Sequence, residues 1–362
     1  ITVTNVEDDF ASNTNVNSFL TEKHSTKVLG VVKKNSARLK RLHKWLTGAR
    51  PEVLRACPVL IIDDEADQAS PNSHPKPDER TKINELIVKL LADLPKAAYV
   101  GYTATPFANL FIDPSLPEDL YPRDFIVDLP RGKGYFGAEQ IFGRAPLDEN
   151  DDPVDGLNAI RLVPEHEGAQ LKPPNRDARF TFFPEITPTL REAMLYFWMA
   201  TAARRVRGQG SKHASMLIHT TQYAVVHRNA KGVIDAFQNN VLKQIQKGDA
   251  ALAGELEALW LREQAALPSK QLDLEPVAFV DLMVHLAAVV KQTETKVENG
   301  SSPTLDRVDY QQDADGNGRI YIVIGGNVLS RGLTLEGLTV SFFIRSASAY
   351  DTLLQMGRWF GY

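Results

Sequence analysis

Residues 59–67 read Val59-Leu60-Ile61-Ile62-Asp63-Asp64-Glu65-Ala66-Asp67. Four apolar, partly β-branched residues run straight into a block of carboxylates. This is the pattern of a buried parallel strand whose carboxyl end delivers acids to a ligand crevice. The Asp64–Glu65 pair suits nucleotide hydrolysis, in which one carboxylate holds Mg²⁺ and its neighbour positions or deprotonates the attacking water. An acidic loop after a core strand would have the same composition, so the rest of the chain must decide.

On the amino-terminal side, Val28-Leu29-Gly30-Val31-Val32 reads as a second buried strand. Residues 36–46 follow as a basic amphipathic helix with Leu39, Leu42, Trp45 and Leu46 on one face. Lys33, Lys34, Arg38, Lys40, Arg41 and Lys44 crowd this junction. They make either a solvated helix face or a contact with nucleic-acid phosphates. On the carboxyl side a proline-rich loop, 71–78, leads into a helix over 81–91. Ala97-Ala98-Tyr99-Val100-Gly101-Tyr102 is then a short strand ending in Thr103-Ala104-Thr105-Pro106. Strands alternating with helices predict a parallel α/β sheet.

From 114 to about 184 the pattern dissolves into Pro-, Gly- and Asp-rich sequence, as in an elaborated connection. A second α/β segment opens with a helix over 189–207, whose Tyr196, Phe197 and Trp198 read as core. A strand over 214–220 and a helix over 224–237 come next. Two leucine-rich helical stretches, about 241–267 and 276–290, look like an inserted helical unit. Strands near 296–300 and over 320–324 complete the pattern.

A chain of 362 residues exceeds one ordinary core and predicts two domains. The net charge of −4 does not announce a nucleic-acid binder, although a local basic groove remains compatible with it. Cys57 stands alone, which excludes an intrachain disulfide framework and a cysteine-rich zinc site and is compatible with a reducing cytoplasm. No apolar run reaches the length of a membrane span. Ile1-Thr2-Val3-Thr4 reads like a strand entered midway and Gly361-Tyr362 like the middle of a motif, so an excerpt of a longer protein is expected.

Several chemistries lack their signatures. Asp313-Ala314-Asp315-Gly316-Asn317-Gly318 opens like a calcium loop, but its required closing Glu falls on Ile324, inside a strand pattern. Neither H-E-x-x-H nor G-x-S-x-G occurs. A Gly-x₄-Gly-Lys-[Ser/Thr] phosphate loop is also missing from these residues.

The far end answers the opening stretch. It reads Asn327-Val328-Leu329-Ser330-Arg331-Gly332-Leu333-Thr334, and later Gln355-Met356-Gly357-Arg358. Together with D-E-A-D at 64–67 and T-A-T at 103–105, these resemble motifs II, III, V and VI of a superfamily 2 helicase core. More narrowly, D-D-E-A-D-Q-A-S, G-Y-T-A-T-P-F-A-N and L-L-Q-M-G-R-W-F-G-Y look like the bacterial Z-one domain family, to which an endonuclease label is attached. Thr334 stands where motif V usually has Asp. Gln355 and Gly357 are one residue closer than usual, and the second arginine of motif VI would lie beyond Tyr362.

The resemblance implies an α/β fold of two RecA-like parallel-sheet lobes. The first would cover 1–113, an irregular connection 114–185, and the second lobe 186–362 with the helical insertion at about 241–290. It implies a cytoplasmic, DNA-dependent ATPase acting as a translocase or remodelling module in restriction or phage defence. ATP and Mg²⁺ would be its cofactors, DNA its partner, and a nuclease or other defence subunit a further partner. Asp64 would bind the Mg²⁺ of MgATP, and Glu65 would activate water. Asp67, Thr103, Thr105 and Arg331 would couple hydrolysis to the nucleic-acid track. Gly332, Gln355 and Arg358 would sense the γ-phosphate. Lys33, Lys34 and Asn35, and more weakly Thr220, Thr221 and Gln222, are the candidates for nucleic-acid contact. Two alternatives stand beside this reading. One is a metal-dependent endonuclease using Asp63, Asp64 and Glu65; the other is a helicase-like scaffold without ATP turnover.

Overall fold

The computed structural model describes residues 10, 16–20, 28–74, 79–116, 119–130, 132–146, 148–298, 308–311, 316–326 and 335–344. The chain is a mixed α/β protein with parallel sheets, and it divides into two units, Ile1–Pro130 and Arg131–Tyr362.

In the first unit, helices α1 (Val16–Leu20), α2 (Ser36–Thr47) and α3 (Pro51–Ala56) precede strand β1 (Val59–Asp64). Helix α4 (Lys82–Ala92) leads to β2 (Ala97–Tyr102), and a single turn, α5 (Phe107–Leu110), follows. β1 and β2 pair in parallel, from Val59 opposite Ala97 to Asp64 opposite Tyr102. The helix expected over 36–46 forms because Asn35 caps it, its side-chain oxygen accepting the Arg38 N–H at 2.9 Å. Leu39 and Leu46 turn inward with Leu86, Ile87 and Leu90 of α4, and Val59, Ile61 and Ala97 pack against this layer.

Two expectations for this unit need correcting. β1 is buried on one face only: on the other, Leu60 and Ile62 are 61% and 60% exposed. The strand expected over 28–32 does not form, and Leu29 and Val31 are 89% and 85% exposed. An apolar run becomes a strand only where a neighbour accepts its backbone hydrogen bonds, and among the described residues none lies beside this one.

The second unit starts with small elements: α6 (Ala138–Phe142), the antiparallel pair β3 (Gly143–Arg144) and β4 (Val154–Asp155), and α7 (Glu165–Leu171). Helix α8 (Pro188–Val206) begins at Thr187, which caps Leu190, with Pro188 at the first position, where a missing N–H costs nothing. Strand β5 (Ala214–His219), helices α9 (Ala224–Lys247), α10 (Ala250–Ala266) and α11 (Phe279–Gln292), and strands β6 (Thr293–Glu298), β7 (Ile320–Gly325) and β8 (Leu338–Phe343) follow. The sheet has the order β6-β7-β5-β8, and all its pairings are parallel.

Every residue of β5 and β7 is buried, as expected of central strands covered on both faces. Phe197 and Trp198 are core residues, Trp198 stacking on Phe237 at 6.0 Å, and Tyr196 packs partly buried against the same cluster. The helix expected to stop near 237 runs on to Lys247. It ends there because Gly248 adopts a left-handed conformation that returns its N–H to Gln244 and Ile245, and Asp249 caps α10 by accepting from Leu252 at 3.0 Å. No helix among the described residues is long and apolar enough to cross a membrane.

Leu286 lies at the centre of this core with Leu282, Val289 and Val290. Leu286→Ala is expected to lower stability by about 2–5 kcal/mol in urea denaturation. A loss below about 1 kcal/mol would contradict the close packing described.

Candidate functional site

Side chains alternate along a strand, so the two adjacent aspartates at the end of β1 have opposite fates. Asp63 points inward and is buried. Its Oδ1 accepts from Lys34 Nζ at 2.8 Å, and its Oδ2 accepts from Ser70 Oγ at 2.5 Å and Tyr99 Oη at 2.6 Å. Burial, and then the bond to Asp63, push the Tyr99 phenol well above its ordinary pKa, so it stays a donor. Asp64 points outward and is exposed.

Lys34 does more than neutralise Asp63. The same ammonium donates to the main-chain oxygens of Asp64 at 3.0 Å and Glu65 at 2.7 Å, and to Ser70 Oγ at 3.1 Å. It thus grips the start of the turn, 64–65, and its end at Ser70. Ser70 passes the connection on: its carbonyl accepts from Asn84 Nδ2 at 2.8 Å. Asn84 accepts from Arg80 at 2.7 Å, and Asp119 receives Asn84 at 3.1 Å and pairs with Arg80 at 3.3 Å.

The turn needs this support because Glu65 has φ +55° and Ala69 φ +62°, a region disfavoured for residues with a side chain. Within it, the Glu65 N–H donates to Asp64 Oδ1 at 3.1 Å and Gln68 Nε2 donates to Glu65 Oε2 at 3.1 Å. Ala66 is pinned between the Tyr102 carbonyl, which accepts its N–H at 2.9 Å, and Asn109 Nδ2, which donates to its oxygen at 3.0 Å. Gly101 is required here: a Cβ at that position would lie 2.8 Å from that of Ala66. Asp67 accepts from Thr103 Oγ1 at 2.8 Å and Thr105 Oγ1 at 3.0 Å, and Thr103 Oγ1 in turn accepts the Thr105 N–H at 2.9 Å.

Of the four acids, Asp63 and Asp67 are therefore engaged by the protein, while Asp64 and the half-buried Glu65 face outward. One exposed carboxylate fits Mg²⁺, which is commonly held by one or two carboxylates together with waters and phosphates. Among the described residues no group of three His, Cys, Asp or Glu side chains is arranged to hold a metal ion.

The nucleic-acid candidates are placed differently from one another. Lys33 is exposed, Lys34 is turned into the acidic turn, and the side chain of Asn35 caps α2. In the second unit, Thr220 and Thr221 are buried at the carboxyl end of β5, and Gln222 is exposed. The Thr221 carbonyl meets His227 Nε2 at 2.9 Å. A side chain at Gly326, after β7, would approach the His227 ring to 3.2 Å and the Gln222 backbone to 3.6 Å, which brings these strand ends together. Arg331, Gly332, Gln355 and Arg358 lie outside the described residues.

Sequence reasoning missed the anchoring roles of Lys34, Ser70, Tyr99 and Asn109. Only Tyr99 carried a signal: in the observed register it lies opposite Ile61, on the face shared with Asp63.

Residues 189–362 match the family model of the Z1 domain. That stretch holds the β5 cluster and the Arg331-to-Arg358 motifs; the acidic turn lies before it. No curated protein and no solved structure matches the chain.

Lys34→Met leaves Asp63 buried without its cation and is expected to destabilise the first unit by about 3–5 kcal/mol. Adding Asp63→Leu should recover most of that loss in the same denaturation experiment. A Lys34→Met protein as stable as the wild type would contradict the anchoring role.

Proposed function

We propose that this chain is the helicase-like core of a DNA-dependent ATPase, built of two RecA-like lobes and working in DNA translocation or remodelling. The observation that carries the proposal is the division of labour in the acidic turn. Asp63 and Asp67 are fixed by protein partners, whereas Asp64 and Glu65 are presented at the carboxyl end of a parallel strand. A loop that was merely acidic would have no use for a lysine gripping two of its carbonyls or for a left-handed glutamate.

In this reading Asp64 holds Mg²⁺, whose chemistry is to neutralise charge on the phosphate oxygens of ATP. Glu65, steadied by Gln68, orients the attacking water and accepts its proton. Asp67 shares its two oxygens between Thr103 and Thr105, so a shift of the turn is felt at the end of β2. That linkage is the route by which nucleotide state would reach bound DNA. The motif residues Arg331, Gly332, Gln355 and Arg358 support the proposal through sequence resemblance, and the Z1 match over 189–362 is consistent with the narrower resemblance. A setting in restriction or phage defence rests on that resemblance alone. The engagement of both Asp63 oxygens counts against a three-carboxylate metal site for strand cleavage.

Glu65→Gln in the intact protein is expected to reduce ATP turnover by about 100-fold or more, the scale of a lost general base, while MgATP binding is retained. Turnover unchanged by the substitution would sink the assignment of Glu65.

A further inference from the structure

The segment Ala178-Arg179-Phe180-Thr181-Phe182-Phe183 puts three phenylalanines and one arginine into six residues. It opens with a 3-10 turn, Ala178–Phe180, that packs on α9. Asn229 Nδ2 of α9 fixes its backbone by donating to the Phe182 carbonyl at 2.8 Å. Although the backbone is held, Phe180 and Phe183 are 60% and 63% exposed. Exposed aromatic rings on an anchored loop mark an interaction surface, because burying them would be favourable.

The neighbours say what kind of ligand fits. The Arg179 guanidinium lies 4.1 Å from the centroid of the Phe180 ring and 5.6 Å from that of Tyr223. Tyr223 is the residue before α9 and directly follows Thr220, Thr221 and the exposed Gln222 at the carboxyl end of β5, the edge at which open α/β sheets take ligands. Arg176 and Arg228 are also exposed on this segment and helix, as are the carboxylates of Asp177, 3.9 Å from Arg179, and Glu185. Flat rings interleaved with guanidinium groups are what an unpaired base and its phosphate require. A duplex hides its base faces in the stack, so the rings select single strands.

We propose that Arg179, Phe180 and Tyr223 form a stacking platform for a base of single-stranded nucleic acid, with Arg176 and Arg228 serving the adjoining phosphates. The proposal deepens the nucleic-acid part of the functional reading and does not depend on ATP hydrolysis. Because stacking uses the π-face common to all bases, it predicts little sequence preference.

The test compares binding of an oligothymidylate and an abasic oligodeoxynucleotide of equal length to the intact wild type, Phe180→Ala and Phe180→Trp. Phe180→Ala should weaken oligothymidylate binding by about 5- to 150-fold, equivalent to roughly 1–3 kcal/mol for one stacked base. Its binding of the abasic strand should be unchanged, and Phe180→Trp should bind oligothymidylate like the wild type. Equal oligothymidylate binding by Phe180→Ala and wild type overturns the platform alone. So does a loss shared equally by the abasic strand, which would trace to charge or folding rather than stacking. A wild type that binds neither strand overturns both the platform and the nucleic-acid part of the functional reading.

Discussion

One ammonium group organises the first unit. Lys34 Nζ has three hydrogens and four acceptors within 3.1 Å: a buried carboxylate, two consecutive carbonyls and a buried hydroxyl. The charge is what lets Asp63 stay under the sheet, since an unpaired buried carboxylate would cost several kcal/mol. The carbonyl bonds restrain the chain just where it enters the left-handed conformation at Glu65, which costs about 1–2 kcal/mol. Without that grip the two outward carboxylates would sit on a relaxed loop. With it, they are held by a polar chain that continues through Ser70 and Asn84 into α4 and Asp119.

The second unit reaches order by a different route. Its central strands are buried on both faces: helices α8, α9 and α11 cover one with Trp198, Ile234, Leu282 and Leu286, and Leu335, with Val308 and Tyr310, packs on the other. Along β5 polar residues stand near its start, at Ser215, and again where the strand gives out, at His219, Thr220 and Thr221, and all four are buried. The exposed chemistry begins one residue later, at Gln222, followed by the half-buried Tyr223. On the proposed reading, this buried sheet with polar groups at its carboxyl edge, and the Arg179–Phe180 loop lying against the helix that follows, would carry the nucleic-acid strand.

The sequence made periodic features readable. α2, α4, β1, β2 and α8 fall within a residue or two of where their apolar spacing puts them, because one buried face fixes both their type and their extent. The resemblance gave Asp67, Thr103 and Thr105 a shared coupling role, and their direct hydrogen bonds are what the structure adds. Three kinds of feature were not. The 28–32 run has strand composition, but pairing depends on a neighbour that composition does not specify. Leu60 and Ile62 look like core residues, yet their exposure depends on what covers the sheet. Lys34 looked like one more base in a cationic run; its distance of 29 residues from Asp63 left no local trace of their contact. The helix over 224–247 shows the opposite case. Its end is set locally, by Gly248 as stop and Asp249 as the next start, and these outweigh the expected break near 237.

On the proposed function, the acidic turn works on a nucleotide bound with Mg²⁺, in response to DNA. The most direct measurement is the rate of ATP hydrolysis by the intact protein, with Mg²⁺ or with EDTA, in the presence and absence of single-stranded DNA. The proposed function predicts turnover that requires Mg²⁺ and rises when DNA is added. An intact, folded protein that hydrolyses no ATP under any of these conditions would contradict it.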